Sequence, residues 1–150
     1  MYKFVVAGIL IMASATGYVV YHRLSSGTNG PGVEIDWRLL SEMDYITGDA
    51  TPELKNIDNQ RVKIPGFMVP LEDNIKEVKE FLLVPSPQAC IHVPPPPPNQ
   101  MVYVRMKANK GTESLYGPIW AYGTFRIVTK KSIYGESSFE LESDGIEAYR

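Results

Sequence analysis

Ile119-Trp120-Ala121-Tyr122-Gly123-Thr124-Phe125-Arg126-Ile127-Val128 alternates through Ile127 with a period of two. Ile119, Ala121, Gly123, Phe125 and Ile127 fall on one side; Trp120, Tyr122, Thr124 and Arg126 fall on the other. Such alternation is the mark of a half-buried strand, because successive side chains leave a pleated backbone in opposite directions. The first set is small or apolar throughout and predicts the core face. A glycine inside it predicts a close backbone approach or a sharp bend at Gly123.

The same period recurs on both sides of this stretch. Upstream, residues 101–107 place Val102, Val104 and Met106 on one side and Tyr103, Arg105 and Lys107 on the other. Residues 80–85 are short and continuously apolar after Glu80, which predicts a strand covered on both faces. Residues 61–71 alternate through Val62 and Ile64, then Phe67, Val69 and Leu71. The parity shift at Pro65-Gly66 predicts a β-bulge that coils the strand. Downstream, residues 138–149 supply a fifth strand, interrupted at Asp144-Gly145. Ahead of the strands, Asp36 is placed to cap a helix carrying Trp37, Leu40 and Met43, with Gly48 to stop it. Thr51-Pro52 opens a second, shorter helix through about Ile57. These elements predict a mostly β domain over residues 36–150. Its expected form is a small five-stranded OB-like barrel with one or two short N-terminal helices.

The N-terminal region reads differently. Residues 4–21 carry no formal charge, follow Lys3 and end at His22-Arg23. As one helix they reach about 27 Å at 1.5 Å per residue, enough to span a bilayer core. A signal peptide cut after Ala13-Ser14-Ala15 is the alternative. Residues 1–24 are therefore expected to be a signal peptide or membrane anchor, and the Ser/Gly-rich residues 25–35 a flexible tether. Both readings place the domain in the periplasm, secreted or anchored on the periplasmic side of the inner membrane. With 15 Lys+Arg against 17 Asp+Glu the net charge is −2, which opposes steering toward nucleic acid or anionic lipid.

The central segment carries the least ordinary chemistry. Pro94 to Pro98 are five successive prolines, predicting about 15 Å of stiff polyproline chain without amide donors. Asn99-Gln100 restart hydrogen bonding after it. Just before it stand Cys90, the single cysteine, and His92. In extended chain their side chains share a face, with α-carbons about 6.6 Å apart. A thiolate and an imidazole so placed suit zinc or cuprous copper, with carboxylates such as Glu72 or Asp73, or a second subunit, completing the site. They also suit a thiolate–imidazolium pair, or a buried thiol beside a loop-fixing histidine.

Three stretches together resemble a known family: Pro65-Gly66-Phe67-Met68-Val69-Pro70-Leu71-Glu72, then Glu80-Phe81-Leu82-Leu83-Val84-Pro85, then Ala89-Cys90-Ile91-His92-Val93-Pro94 through Pro98-Asn99-Gln100. They are similar to the bacterial family catalogued as domain of unknown function 3299, over about Trp37 to Phe125. The resemblance implies an exported or lipid-anchored envelope protein, with some members encoded beside ABC-type transporters. Gln88 stands where the family usually has glycine, so the backbone ahead of Ala89-Cys90 must do without a glycine-only angle.

The expected function is that of an envelope accessory or binding protein docking on a membrane transport complex. Its partner would be an envelope protein such as an ABC-type transporter component, and its binding residues Trp120, Tyr122, Tyr103, Asn99 and Gln100. Exposed aromatics beside arginine are common at interfaces. The alternative is periplasmic binding and delivery of zinc or copper through Cys90 and His92. An enzyme is not expected, since a Cys90–His92 dyad lacks a third orienting residue. Nucleic-acid binding through Tyr103, Arg105, Trp120, Tyr122 and Arg126 is opposed by charge and export.

Overall fold

The computed structural model describes residues 32–87 and 94–149. In chain order these form β1 (Val33–Glu34), α1 (Trp37–Ser41), α2 (Pro52–Asn56), β2 (Arg61–Pro70), β3 (Glu80–Val84), β4 (Val102–Met106), β5 (Pro118–Ser132) and β6 (Gly135–Ala148), with 3-10 turns at Pro98–Gln100 and Lys107–Asn109. The six strands lie in the order β1-β2-β3-β4-β6-β5, and β5 also pairs with β2. Neighbours are antiparallel except at two places: β1 runs parallel to β2, and β4 parallel to β6. Central strands are thus bonded on both sides, leaving few free edges.

This corrects the five-stranded OB-like barrel expected from the sequence. The fold is a mixed β-sheet with short helices. A sixth strand joins through Val33↔Val62 and Glu34↔Lys63. No periodicity announces a two-residue strand, and the direction of a pairing leaves no trace in either partner's alternation.

The helices follow their caps. Asp36 accepts from the Leu39 amide at 3.0 Å, and Thr51 from the Leu54 amide at 3.3 Å. Pro52 occupies the first turn of α2. Each helix spans five residues, so α1 stops well short of Gly48. Their stability is tertiary: Leu40 and Leu54 are fully buried, and the Trp37 indole donates to the Pro65 carbonyl at 2.6 Å.

The predicted core face of β5 is the core face observed. Ile119, Ala121 and Phe125 are fully buried beside Val62, Ile64, Phe81, Val104 and Leu141, with Ile127 packed at the margin. Phe125 and Phe139 lie 5.2 Å apart between ring centres. β3 is covered on both sides, as its apolar run predicts. Phe81 and Leu83 enter this core, while Leu82 and Val84 form a second cluster with Met101, flanked by Phe67, Val69 and Tyr103.

That second cluster explains the parity shift in β2. Pairing with β5 runs unbroken from Arg61↔Thr124 to Phe67↔Pro118, so the bulge expected at Pro65-Gly66 is absent. Val62, Ile64 and Gly66 keep one face buried, and the opposite face turns apolar because a second cluster needs it. The register shifts lie instead between β5 and β6, at Tyr122/Gly123 and Ile127/Lys130. Ser143, fully buried, secures the first by sharing its one hydroxyl hydrogen between the Tyr122 and Gly145 carbonyls, at 2.9 and 3.0 Å.

Ala108 holds φ 55, a left-handed angle that costs an alanine roughly 1 kcal/mol. Ala108→Gly should therefore raise stability by about 0.5 kcal/mol after the glycine's extra unfolded-state entropy. A urea midpoint lower than wild type would contradict this.

Candidate functional site

Alternation sends Trp120 and Tyr122 outward from β5, and pairing decides what they meet. Trp120 stands opposite Pro65 on β2 and Glu147 on β6; Tyr122 stands opposite Lys63 and Gly145. Trp120, Tyr122, Glu147 and Ala148 line an open cleft of about 530 Å³. Tyr149 stacks on Trp120, with ring centres 5.0 Å apart and planes 30° from parallel. The Lys63 ammonium sits 4.4 Å from the centre of the Trp120 ring and 2.9 Å from the Glu34 carboxylate. The Tyr122 hydroxyl donates to Glu147 at 2.9 Å. The short strand β1 thus serves the site by delivering Glu34.

The electrostatics follow from these pairs. The hydrogen bond to Glu34 raises the Lys63 pKa above its ordinary value. Burial, then the hydrogen bond to Glu147, raises that of Tyr122. Both groups stay protonated across the physiological range. A cation over an indole face adds an attraction that holds both in place.

Tyr103 belongs elsewhere, because β6 lies between β4 and β5. It borders the second apolar cluster, and its phenol is pushed up to about 12, first by burial and then by its hydrogen bond to Glu80. Its folded pKa exceeds the unfolded one, so its contribution to stability is complete below pH 10 and is lost as pH rises toward 12. In an ultraviolet pH titration Tyr103→Phe should remove a late-ionising component. An unchanged curve would refute this assignment.

Arg105 and Arg126 do not extend the aromatic face either. Arg105 and Lys130 both pair with the buried Glu140, at 2.9 and 3.1 Å, and Arg126 pairs with Glu142 at 3.7 Å. Asp144 holds Arg61 and Lys107. These pairs form a ladder along β6, beside an open charged cleft of about 450 Å³ that includes Glu72, Lys79, Arg105 and Glu142.

Asn99 and Gln100 turn inward. Asn99 is buried, and its amide donates to the Ser41 and Met43 carbonyls at 3.2 and 2.9 Å. Gln100 donates to the Trp37 carbonyl at 3.3 Å. They fasten the end of α1 to the sheet rather than present a binding surface. The last of the five prolines also departs from the expected rail, since Pro98 begins the 3-10 turn.

Cys90 and His92 lie outside the described residues. Among the described residues no group of three or more His, Cys, Asp or Glu side chains is arranged to hold a metal ion. Glu72, one carboxylate that could complete such a site, accepts from the Lys79 amide at 2.6 Å. Among the described residues the zinc-or-copper expectation therefore finds no site and is corrected to that extent.

The sequence singles out Trp120 and Tyr122 but not Lys63, Glu34, Glu147 and Tyr149, which the structure places beside them. Their signal was only a polar parity. Which polar residues meet across three strands depends on register.

A family model described as "Protein of unknown function (DUF3299)" matches residues 41–148. The crystal structure of a DUF3299 family protein from Pseudomonas aeruginosa PAO1 is similar to this chain, with 32% identity and a TM-score of 0.64. The match covers 81% of this chain and 98% of that one. No curated protein matches. Neither description names a transporter. Among the described residues no helix is long and apolar enough to cross a membrane. The expected ABC-type transporter partner is corrected to a family membership with no partner shown, and the anchor expected over residues 1–24 lies outside the described residues.

Proposed function

We propose, from the premise that this chain belongs to the DUF3299 family of proteins of unknown function, that it is an envelope binding protein whose ligand sits in the cleft of Trp120, Tyr122 and Glu147, against the Tyr149 ring stacked on Trp120. The observation that carries this reading is the Trp120–Tyr149 stack, buttressed by Lys63 and left accessible: Tyr149 keeps 48% of its surface exposed. Rigid aromatic surface held in advance of binding is what a recognition site needs, because little side-chain entropy remains to be lost.

Binding without chemistry suits these groups. A general acid or base works best with a pKa near the ambient pH. Lys63 and Tyr122 are both shifted away from neutrality. Export to the periplasm is supported by the uncharged residues 4–21 after Lys3 and the Ser/Gly-rich stretch that follows.

The test is an NMR screen of the full chain against soluble oligosaccharides, peptides and nucleotides, following the Trp120 indole resonance. At least one class should move that resonance in the wild type and lose affinity in Tyr149→Ala. Ligands that perturb only the Glu140 ladder, or none at all, would refute the reading.

A further inference from the structure

The geometry points to a neutral oligosaccharide as the occupant of the cleft lined by Trp120, Tyr122 and Glu147, beside the Tyr149 ring, an assignment that rests on the cleft being the binding face. Three features of the cleft select this class.

The first is charge. Glu34 pairs with the Lys63 ammonium and Glu147 accepts from the neutral Tyr122 hydroxyl, so these groups together carry one carboxylate in excess. A phosphodiester or polyuronate would meet net repulsion there. Each charged group also has an internal partner, so a charged ligand finds no uncompensated charge to pair with. A hydroxyl needs none. It can donate to the remaining carboxylate lone pairs and accept from the remaining ammonium hydrogens.

The second is the backbone. At Trp120 and Tyr122, β5 is paired on both sides, with β2 through Pro65 and Lys63 and with β6 through Glu147 and Gly145. No ladder edge is offered, so a peptide cannot add as a strand, the usual source of main-chain affinity for extended peptides. Recognition must come from side chains alone.

The third is the juxtaposition of apolar ring and polar rim. The accessible Tyr149 ring stacks on Trp120, whose β-sheet neighbour Glu147 bonds the Tyr122 hydroxyl. A pyranose presents the matching pattern, C–H groups on its face and hydroxyls around its edge. The open form of the cleft admits a chain rather than enclosing a single ring.

Titration of the full chain with cellotetraose and chitotetraose, read on the Trp120 indole resonance, should give saturable shifts with dissociation constants of about 0.1 to 3 mM. Tyr149→Ala should weaken both about tenfold or more. Glu147→Gln, which keeps the side chain's shape, should weaken them about threefold to tenfold. Tetragalacturonate should bind at least about tenfold more weakly than either neutral sugar. If a neutral tetrapeptide or tetragalacturonate moves the resonance while both neutral sugars leave it still, the sugar assignment is overturned and the binding face stands. If no probe moves it, both are overturned.

Discussion

Gly123→Ala should destabilise the domain by about 3 kcal/mol, one of the largest effects of a single methyl group in this fold. A β-carbon at Gly123 would land on the Glu142 carbonyl oxygen and lie 2.8 Å from the Ser143 α-carbon. Those atoms are backbone, held by the buried Ser143 hydroxyl on its two carbonyls, and cannot rotate away. The added group must therefore pry β5 from β6 at the register shift between Tyr122 and Gly123. Gly145→Ala is the matched control: a β-carbon there meets nothing within 4 Å. Its cost should stay within the usual range for a surface change, about 0.5 kcal/mol. Urea denaturation of both variants decides the matter, and equal losses would sink the close-approach argument.

Asn99→Asp is the second large effect, about 3 kcal/mol at neutral pH. The substitution is nearly isosteric, yet it replaces an amide that donates to the Ser41 and Met43 carbonyls with an oxygen facing both. The other side-chain oxygen, Asn99 Oδ1, is buried with no partner among the described residues, so no donor there would support a carboxylate. Burial against carbonyl oxygens raises the folded pKa of the new carboxyl above its unfolded value of about 3.9. Because the folded pKa is the raised one, the penalty is smallest below the unfolded pKa and grows as pH rises toward the folded pKa. The gap between wild-type and variant urea midpoints should therefore widen from pH 4 to pH 7. A gap independent of pH would show that the loss is not electrostatic.

Both variants mark the boundary of what a linear reading can see. Gly123 stood out in sequence because a glycine interrupts an otherwise packed strand face, and close approach was the inference drawn. The carbonyl it approaches is on β6, and only the β5–β6 register names it. Asn99 follows five prolines, and its sequence position alone suggests a binding surface. It is buried instead, on carbonyls 56 and 58 residues earlier in the chain. A side chain that turns inward to cap a distant helix has the same sequence as one that turns out to a ligand.

Alternation determined strands β2, β4, β5 and β6, the core face of β5 and the outward direction of Trp120 and Tyr122, and a continuous apolar run determined β3 and its double coverage. Alternation succeeds because the two-residue period is a local property of pleated backbone, set by each residue's own neighbours. The caps at Asp36 and Thr51 were legible for the same reason. Tertiary structure decided the sixth strand, the parallel pairings, the second apolar cluster and the separation of Tyr103 from Trp120. It also brought Lys63, Glu34, Glu147 and Tyr149 together around one cleft. Those outcomes depend on which strand lies beside which and in what register. Such pairing energies arise between residues tens of positions apart, so neither partner records them alone.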